Sequence, residues 1–316
     1  MQAVFDHHKV ALCKTTTMSF EWKGVFPALL TPFNEKEELD LDMFEKNLAA
    51  QVAAGVHGII IGGSLGEAST ITEKEKEELV EFSVEYLNED IPVILNIAES
   101  TTADALKQTA NAKKWGADGI MLLPPMRYKT DDRETITFFK TVANSTHLPV
   151  MIYNNPHDYK IDTRPDMFDE LIKCKNITAL KESSRDVTNL TRMKNRFGDR
   201  VKILCGVDTL AMEELCLGAD GWVAGLVDAF PKETTAIYNL VKAGKIDEAT
   251  RIYRWFMPLL ELDIHSKLVQ YIKLAAKQTG IGNEYVRAPR LTLVGEERER
   301  ILKIINDAVT MRPGNK

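Results

Sequence analysis

Among the side chains able to do chemistry, Lys181 stands out by its setting. It ends the apolar run Ile177–Lys181 (ITALK), so its stem starts in a buried strand, where an ammonium without a partner is costly. Position alone leaves two readings open. Lys181 is either an imine-forming nucleophile or a lysine paired with a nearby carboxylate such as Glu182 or Asp208. An imine former must present a neutral amine. With an ordinary pKa of about 10.4, only about one lysine in a few thousand is neutral at pH 7, and burial at a strand end lowers that pKa. Tyr153 ends a second short run, Val150–Tyr153 (VMIY), on the strand expected beside that of Lys181. Its phenol can shuttle a proton between an amine adduct and a substrate oxygen, or it is a rim aromatic with a satisfied hydroxyl. Gly62-Gly63-Ser64-Leu65-Gly66 is a loop whose successive amides suit an anion. Alone that signal is weak, because glycine-rich loops are common after strands. No cluster of His, Asp or Glu has metal-ligand spacing, and His7-His8 reads as a solvated pair. Cys13, Cys174, Cys205 and Cys216 lack the spacing of a zinc site or a disulfide framework. Neither a metal nor a cofactor is expected.

The elements that must position these residues follow from rhythm. Eight short apolar runs succeed one another: Val25–Leu30, Gly58–Ile61, Val93–Ile97, Gly119–Leu123, Val150–Tyr153, Ile177–Lys181, Val201–Leu204 and Gly221–Ala224. Continuous apolarity over so few residues predicts strands buried on both faces of a parallel sheet. Amphipathic stretches such as Leu41–Ala54 and Thr102–Trp115 lie between them, and Thr72 with Glu75 forms a capping box. Repeated βα units imply an α/β fold. Eight of them, with no G-x-G-x-x-G after a strand, favour a (β/α)8 TIM barrel over a doubly wound sheet. From Pro231 onward the pattern is helical. The expected organisation is an N-terminal arm (1–22), a catalytic barrel (23–230) and a C-terminal helical extension (231–316) packed as one body.

Composition sets the outer bounds. The 316 residues are 44% hydrophobic and 27% charged, an ordinary globular balance that excludes a mainly disordered or fibrous chain. With 46 acidic against 40 basic residues the net charge is −6, so no whole-chain basic field attracts nucleic acid. No apolar run is long enough to span a bilayer. Charged residues interrupt any leader in Met1–Phe20, and the cytoplasm is the expected compartment.

In a barrel the active site lies where strands end, and five strand-end motifs resemble one family in order. They are G-V-F-P-A-L-L-T-P-F at Gly24–Phe33, G-G-S-L-G-E at Gly62–Glu67, Y-N-N-P at Tyr153–Pro156, A-L-K-E at Ala179–Glu182 and C-G-V-D at Cys205–Asp208. From Gly24 to the helical C-terminus the chain resembles the dihydrodipicolinate synthase/N-acetylneuraminate lyase family of class I aldolase-like barrels. The resemblance implies Lys181 as Schiff-base lysine, Tyr153 as proton-relay tyrosine, and a carboxylate-binding turn at Ser64–Leu65. It also implies a homotetramer. With these go Gly63, Asn155, Arg127, Asp158 and Gly206 as substrate-binding candidates and Ser64 as a catalytic hydroxyl.

Three positions depart from the synthase pattern. The turn usually carries two adjacent hydroxyl residues, and here the second is Leu65. Met126-Arg127 replaces a tyrosine pair that reaches a neighbouring subunit's relay. Asp158 replaces an arginine for a dicarboxylic second substrate, which an acidic side chain would repel. The segment Y-N-N-P-H-D-Y looks most like members acting on pyrroline carboxylates derived from 4-hydroxyproline. The expected reaction is therefore dehydration and deamination of 1-pyrroline-4-hydroxy-2-carboxylate to 2-oxoglutarate semialdehyde. The alternatives are a pyruvate-releasing aldolase of the N-acetylneuraminate or 2-keto-3-deoxy sugar acid type, and dihydrodipicolinate synthase itself. A non-catalytic, ligand-binding barrel paralogue is the remaining class. The expected partner is a small 2-keto or pyrroline carboxylate.

Overall fold

The computed structural model describes residues 20–125 and 127–313. His7, His8, Cys13, Met126 and nearly all of the expected arm lie outside the described residues. Eight strands form: β1 (Gly24–Pro27), β2 (Ile59–Ile61), β3 (Val93–Ile97), β4 (Gly119–Leu122), β5 (Val150–Asn154), β6 (Ile177–Glu182), β7 (Lys202–Cys205) and β8 (Gly221–Ala224). Every ladder is parallel. The order is β1-β8-β7-β6-β5-β4-β3-β2, and a bridge between Ala28 and Ile60 brings β1 back to β2. The result is a (β/α)8 TIM barrel, as the eight apolar runs predict. Strand residues such as Ile59, Ile60 and Leu180 are fully buried, because the barrel interior covers one face and the helices the other.

The surrounding helices are α1 (Leu41–Ala53), α2 (Glu73–Leu87), α3 (Thr102–Lys114), α4 (Asp132–Asn144), α5 (Pro156–Tyr159), α6 (Pro165–Leu171), α7 (Val187–Phe197) and α8 (Ala211–Cys216). They are followed by α9 (Pro231–Lys242), α10 (Ile246–Leu260), α11 (Leu268–Gln278) and α12 (Gly295–Thr310). The expected capping box opens α2: Thr72 Oγ1 accepts from the Glu75 amide, and the Glu75 carboxylate accepts from the Thr72 amide. Asp131 and Glu134 form a second box at α4.

Helix α9 packs on β1 and β8, where Tyr238 donates to the Asp220 carbonyl at 3.2 Å and Lys242 to the Ala219 carbonyl at 2.6 Å. It follows β8 and covers the first and last strands of the barrel. Helix α9, the first of the expected C-terminal region, thus packs on the barrel strands and on α10 alike. The extension leans on the catalytic rim. Tyr253 of α10 donates to the Asp208 carbonyl at 3.1 Å, and Lys273 of α11 reaches Glu67 at 2.5 Å.

Candidate active site

Parallel register places Tyr153 of β5 directly beside Lys181 of β6, so both side chains leave the same face of the sheet. Both are 7% exposed. The Lys181 Nζ lies 4.1 Å from the centre of the Tyr153 ring, a cation–π distance. Among the described residues no carboxylate lies within ion-pairing distance of that amine. Glu182 points to the opposite face and accepts from Asn154, Asn189 and the Ser184 amide. Asp208 accepts from the Trp222 indole at 2.8 Å, the Leu226 amide at 2.8 Å and the Gly225 amide. The reading of Lys181 as a structurally paired lysine is therefore corrected: the two candidate partners are saturated elsewhere.

Burial drives the Lys181 amine below the ordinary lysine range, and the negative potentials of Tyr159, Asp263 and Asp208 only partly oppose it. The Tyr153 phenol goes the other way, pushed up to about 12 chiefly by burial, while hydrogen bonding from Asn155 partly opposes the rise. A lysine biased toward its free base thus stands beside a phenol that keeps its proton at neutral pH. This is the protonation pattern that attack on a ketone requires.

Gly206, just beyond β7, makes room for that lysine. A Cβ there would stand 2.7 Å from Lys181 Cε and 2.1 Å from Ser183 Oγ. The turn after β2 is held just as tightly. A Cβ at Gly66 would meet the Leu29 carbonyl oxygen at 2.7 Å, and Thr31 Oγ1 donates to the Gly66 carbonyl at 2.7 Å. Glu67 is buried at φ 56° and its carboxylate receives Lys273 Nζ and the Arg287 amide. Lys273 also donates to the Tyr285 carbonyl at 2.6 Å. Within this braced turn, the Ser64 and Leu65 amides have no acceptor among the described residues. They remain for an anion, next to the Ser64 hydroxyl.

These groups converge on a cavity of about 80 Å3 lined by Gly63, Ser64, Leu65, Tyr153, Asn155, Asp158, Lys181 and Gly206, with Ser183, Arg185 and Asp263 among others. Asn155 caps the short helix α5: its Oδ1 accepts from the Asp158 amide, and its Nδ2 donates to Asp158 at 2.7 Å and to the Tyr153 hydroxyl at 3.2 Å. Eight of the nine expected site residues are thereby brought together. Arg127 is not. It is exposed at φ 68° and absent from the cavity wall, because the neighbouring Tyr128 hydroxyl donates to Glu134 at 3.2 Å and ties this loop outward to the start of α4.

The dihydrodipicolinate synthetase family model matches residues 21–308. The chain belongs to this family. It is 33% identical over 273 residues to the 4-hydroxy-tetrahydrodipicolinate synthase of Exiguobacterium sibiricum, covering 86% of this chain and 92% of that one. It is 30% identical to the enzyme of the same name from Kosmotoga olearia, covering 92% of this chain and 100% of that protein. The dihydrodipicolinate synthase structure from Aquifex aeolicus superposes with a TM-score of 0.86 at 28% identity, covering 90% and 98% of the two chains.

Four contributors to the site of this family member escape the sequence reading. Ser183 lies two residues beyond Lys181, a spacing that keeps side chains on one face of an extended chain, so alternation held a usable signal. Arg185 stands at φ 64° in the following loop. Asp263 arrives from the turn after α10, where no strand-end rule points. Tyr159, quoted only as part of Y-N-N-P-H-D-Y, bonds Ser64 at 2.6 Å.

Proposed function

We propose that this protein is a class I lyase that forms an imine between Lys181 and a small 2-keto acid, pyruvate being the simplest. The imine activates C3 for making or breaking a carbon–carbon bond. The observation that carries this reading is the unpaired Lys181 amine, buried at a strand end and seated over the Tyr153 ring. The neutral amine adds to the keto carbon. The Tyr153 phenol protonates the departing carbinolamine oxygen, and water leaves as the iminium forms. The iminium then draws electrons from C3, whose proton is lost to give an enamine able to attack an aldehyde. In reverse, a 4-hydroxy-2-keto acid loses its C4 hydroxyl proton and the C3–C4 bond breaks. The Ser64 and Leu65 amides hold the carboxylate throughout.

The names of the synthase relatives support condensation with an aldehyde, and aspartate semialdehyde is the first to test. Arg185, in the cavity wall, is a cation at which a second carboxylate can dock, in place of the arginine that Asp158 replaces. A second reading, dehydration and deamination of a hydroxylated pyrroline carboxylate, is favoured by Asp158 itself. Its carboxyl borders the cavity where an acid would protonate a leaving hydroxyl.

Borohydride added with pyruvate is expected to leave a permanent mass increase on Lys181. No adduct with any 2-keto acid would refute the imine mechanism. Once an adduct is found, three assays separate the reactions: dihydrodipicolinate formation from aspartate semialdehyde, pyruvate release from sugar acids, and ammonia release from the hydroxypyrroline. Analytical ultracentrifugation tests the homotetramer that the family likeness implies.

A further inference from the structure

The hydrogen bond between Ser64 and Tyr159 lies outside the imine chemistry described so far, yet it controls one of the hydroxyls that face the substrate. Ser64 Oγ and the Tyr159 hydroxyl are 2.6 Å apart, a short separation for two neutral hydroxyls. Ser64 lines the cavity, whereas Tyr159 does not. The Tyr159 ring stands edge-on to the Tyr153 ring, with centroids 5.6 Å apart and planes at 77°, and so backs directly onto the imine site. It is delivered there by α5, whose start is fixed by Pro156 and by the Asn155 cap, and which ends at Lys160 with φ 64°.

Either hydroxyl can donate in the Ser64–Tyr159 bond, and intrinsic acidity favours the phenol. A phenol, with a pKa near 10, is a far better proton donor than an alcohol and a poorer acceptor. Tyr159 therefore donates into Ser64 Oγ. Burial pushes the Tyr159 phenol well above its ordinary value, so it stays a donor across the working range of pH. With one Ser64 lone pair occupied, the serine O–H is directed away from Tyr159 and is left for the cavity. A hydroxyl that accepts one bond is polarised to donate the next more strongly.

We propose that Tyr159 is a positioning residue that aims and polarises the Ser64 hydroxyl toward the bound 2-keto acid from within the same chain. The proton-handling hydroxyls of one site would then all belong to one subunit. This rests on the imine reading above and concerns the steps after imine formation. When the Lys181 iminium becomes an enamine, C3 gives up a proton and the iminium nitrogen keeps its own. The C3 electron pair neutralises the iminium nitrogen, the C3 proton passes to the Tyr153 phenolate left when the carbinolamine lost water, and Ser64 O–H bonds to the substrate carboxylate, holding C3 in line with that phenolate.

The test needs only pyruvate. In deuterium oxide the enzyme should exchange the pyruvate methyl hydrogens for deuterium through the enamine, followed by NMR, while borohydride trapping reports the imine separately. Tyr159→Phe is expected to trap the imine as wild type does. It should slow exchange by about tenfold to a hundredfold, below or just reaching the roughly hundred- to ten-thousand-fold that a direct general acid–base group contributes, mainly in kcat rather than KM. Ser64→Ala should do the same, and the double variant should be no slower than the slower single. Ser64→Thr, which keeps the hydroxyl, should retain exchange and its dependence on Tyr159. Exchange in Tyr159→Phe within about twofold of wild type, or fully multiplicative losses in the double variant, would overturn the proposal. So would recovery of exchange when Tyr159→Phe and Lys181→Ala chains are mixed, because the hydroxyl would then arrive from another subunit. Failure of trapping in the wild-type enzyme would instead refute the imine reading itself. If Tyr159→Phe lost trapping as well, Ser64→Ala against Ser64→Thr decides: equal exchange in the two would overturn the proposal.

Discussion

At the scale of the residue, the burial that favours the free amine of Lys181 has a cost in stability. That amine is drawn below the ordinary lysine range by burial, so between the folded and unfolded pKa values the unfolded chain binds a proton that the folded chain does not. Stability must therefore rise with pH over that window and level off near pH 10.4, the approximate unfolded value. Lys181→Met keeps an unbranched stem and removes the titration. The variant is expected to lose imine trapping yet melt at least about 2 °C higher at pH 7, with the difference shrinking as pH rises toward 10. Equal melting temperatures at pH 7 would mean that the buried amine carries no such cost. The lysine was legible in the sequence because a charged side chain closing an apolar run is costly without a task. Its freedom from Glu182 and Asp208 was not, since that depends on which backbone amides those carboxylates meet.

Between elements, the most consequential contact joins the turn after β2 to α11 through Glu67 and Lys273, whose side chains are 0% and 1% exposed. Removing one partner of such a buried pair strands the other charge, at a cost of about 3–5 kcal/mol. Glu67→Gln is expected to lower the melting temperature by that equivalent and to raise KM for the 2-keto acid, because the same turn carries the Ser64 and Leu65 amides. Adding Lys273→Met should recover part of the stability. A Glu67→Gln variant with unchanged KM would show that the turn is held by Gly66 and Thr31 alone. The strands were legible because burial on both faces leaves an unbroken apolar run. Glu67 was visible as part of G-G-S-L-G-E, but its partner lies 206 positions away, and no local periodicity connects them. Arg127 failed for a related reason: the left-handed turn and the Tyr128–Glu134 bond that face it outward are matters of loop geometry.

For the whole molecule, pH acts through buried carboxyls behind the rim as well as through the lysine. Glu214 of α8 has its pKa raised to about 8, mainly by burial and then by the nearby charge of Glu182. The folded chain keeps a proton that the unfolded chain releases above the ordinary carboxylate range. This contribution is full in acid and is lost as pH rises through about 8, a direction in which folding weakens. Glu214→Gln should flatten the fall in melting temperature between pH 5 and pH 9 by about 2 °C or more. An unchanged slope would place the titration elsewhere. Buried polar groups of this kind are the part of a barrel that sequence patterning conceals, because they interrupt amphipathic faces without marking the strand ends where function is sought.

The Glu67–Lys273 bond also has a consequence for how the protein is made. The turn after β2 leaves the ribosome about 206 residues before the cation that neutralises its buried glutamate. At elongation rates of about 5–20 residues per second, that interval lasts roughly 10–40 s. During it, the first half of the barrel can form while Glu67 has no counter-ion to be buried with. A truncated product that ends before α11 would carry Lys181 and Tyr153 yet lack the Lys273 brace on the turn after β2.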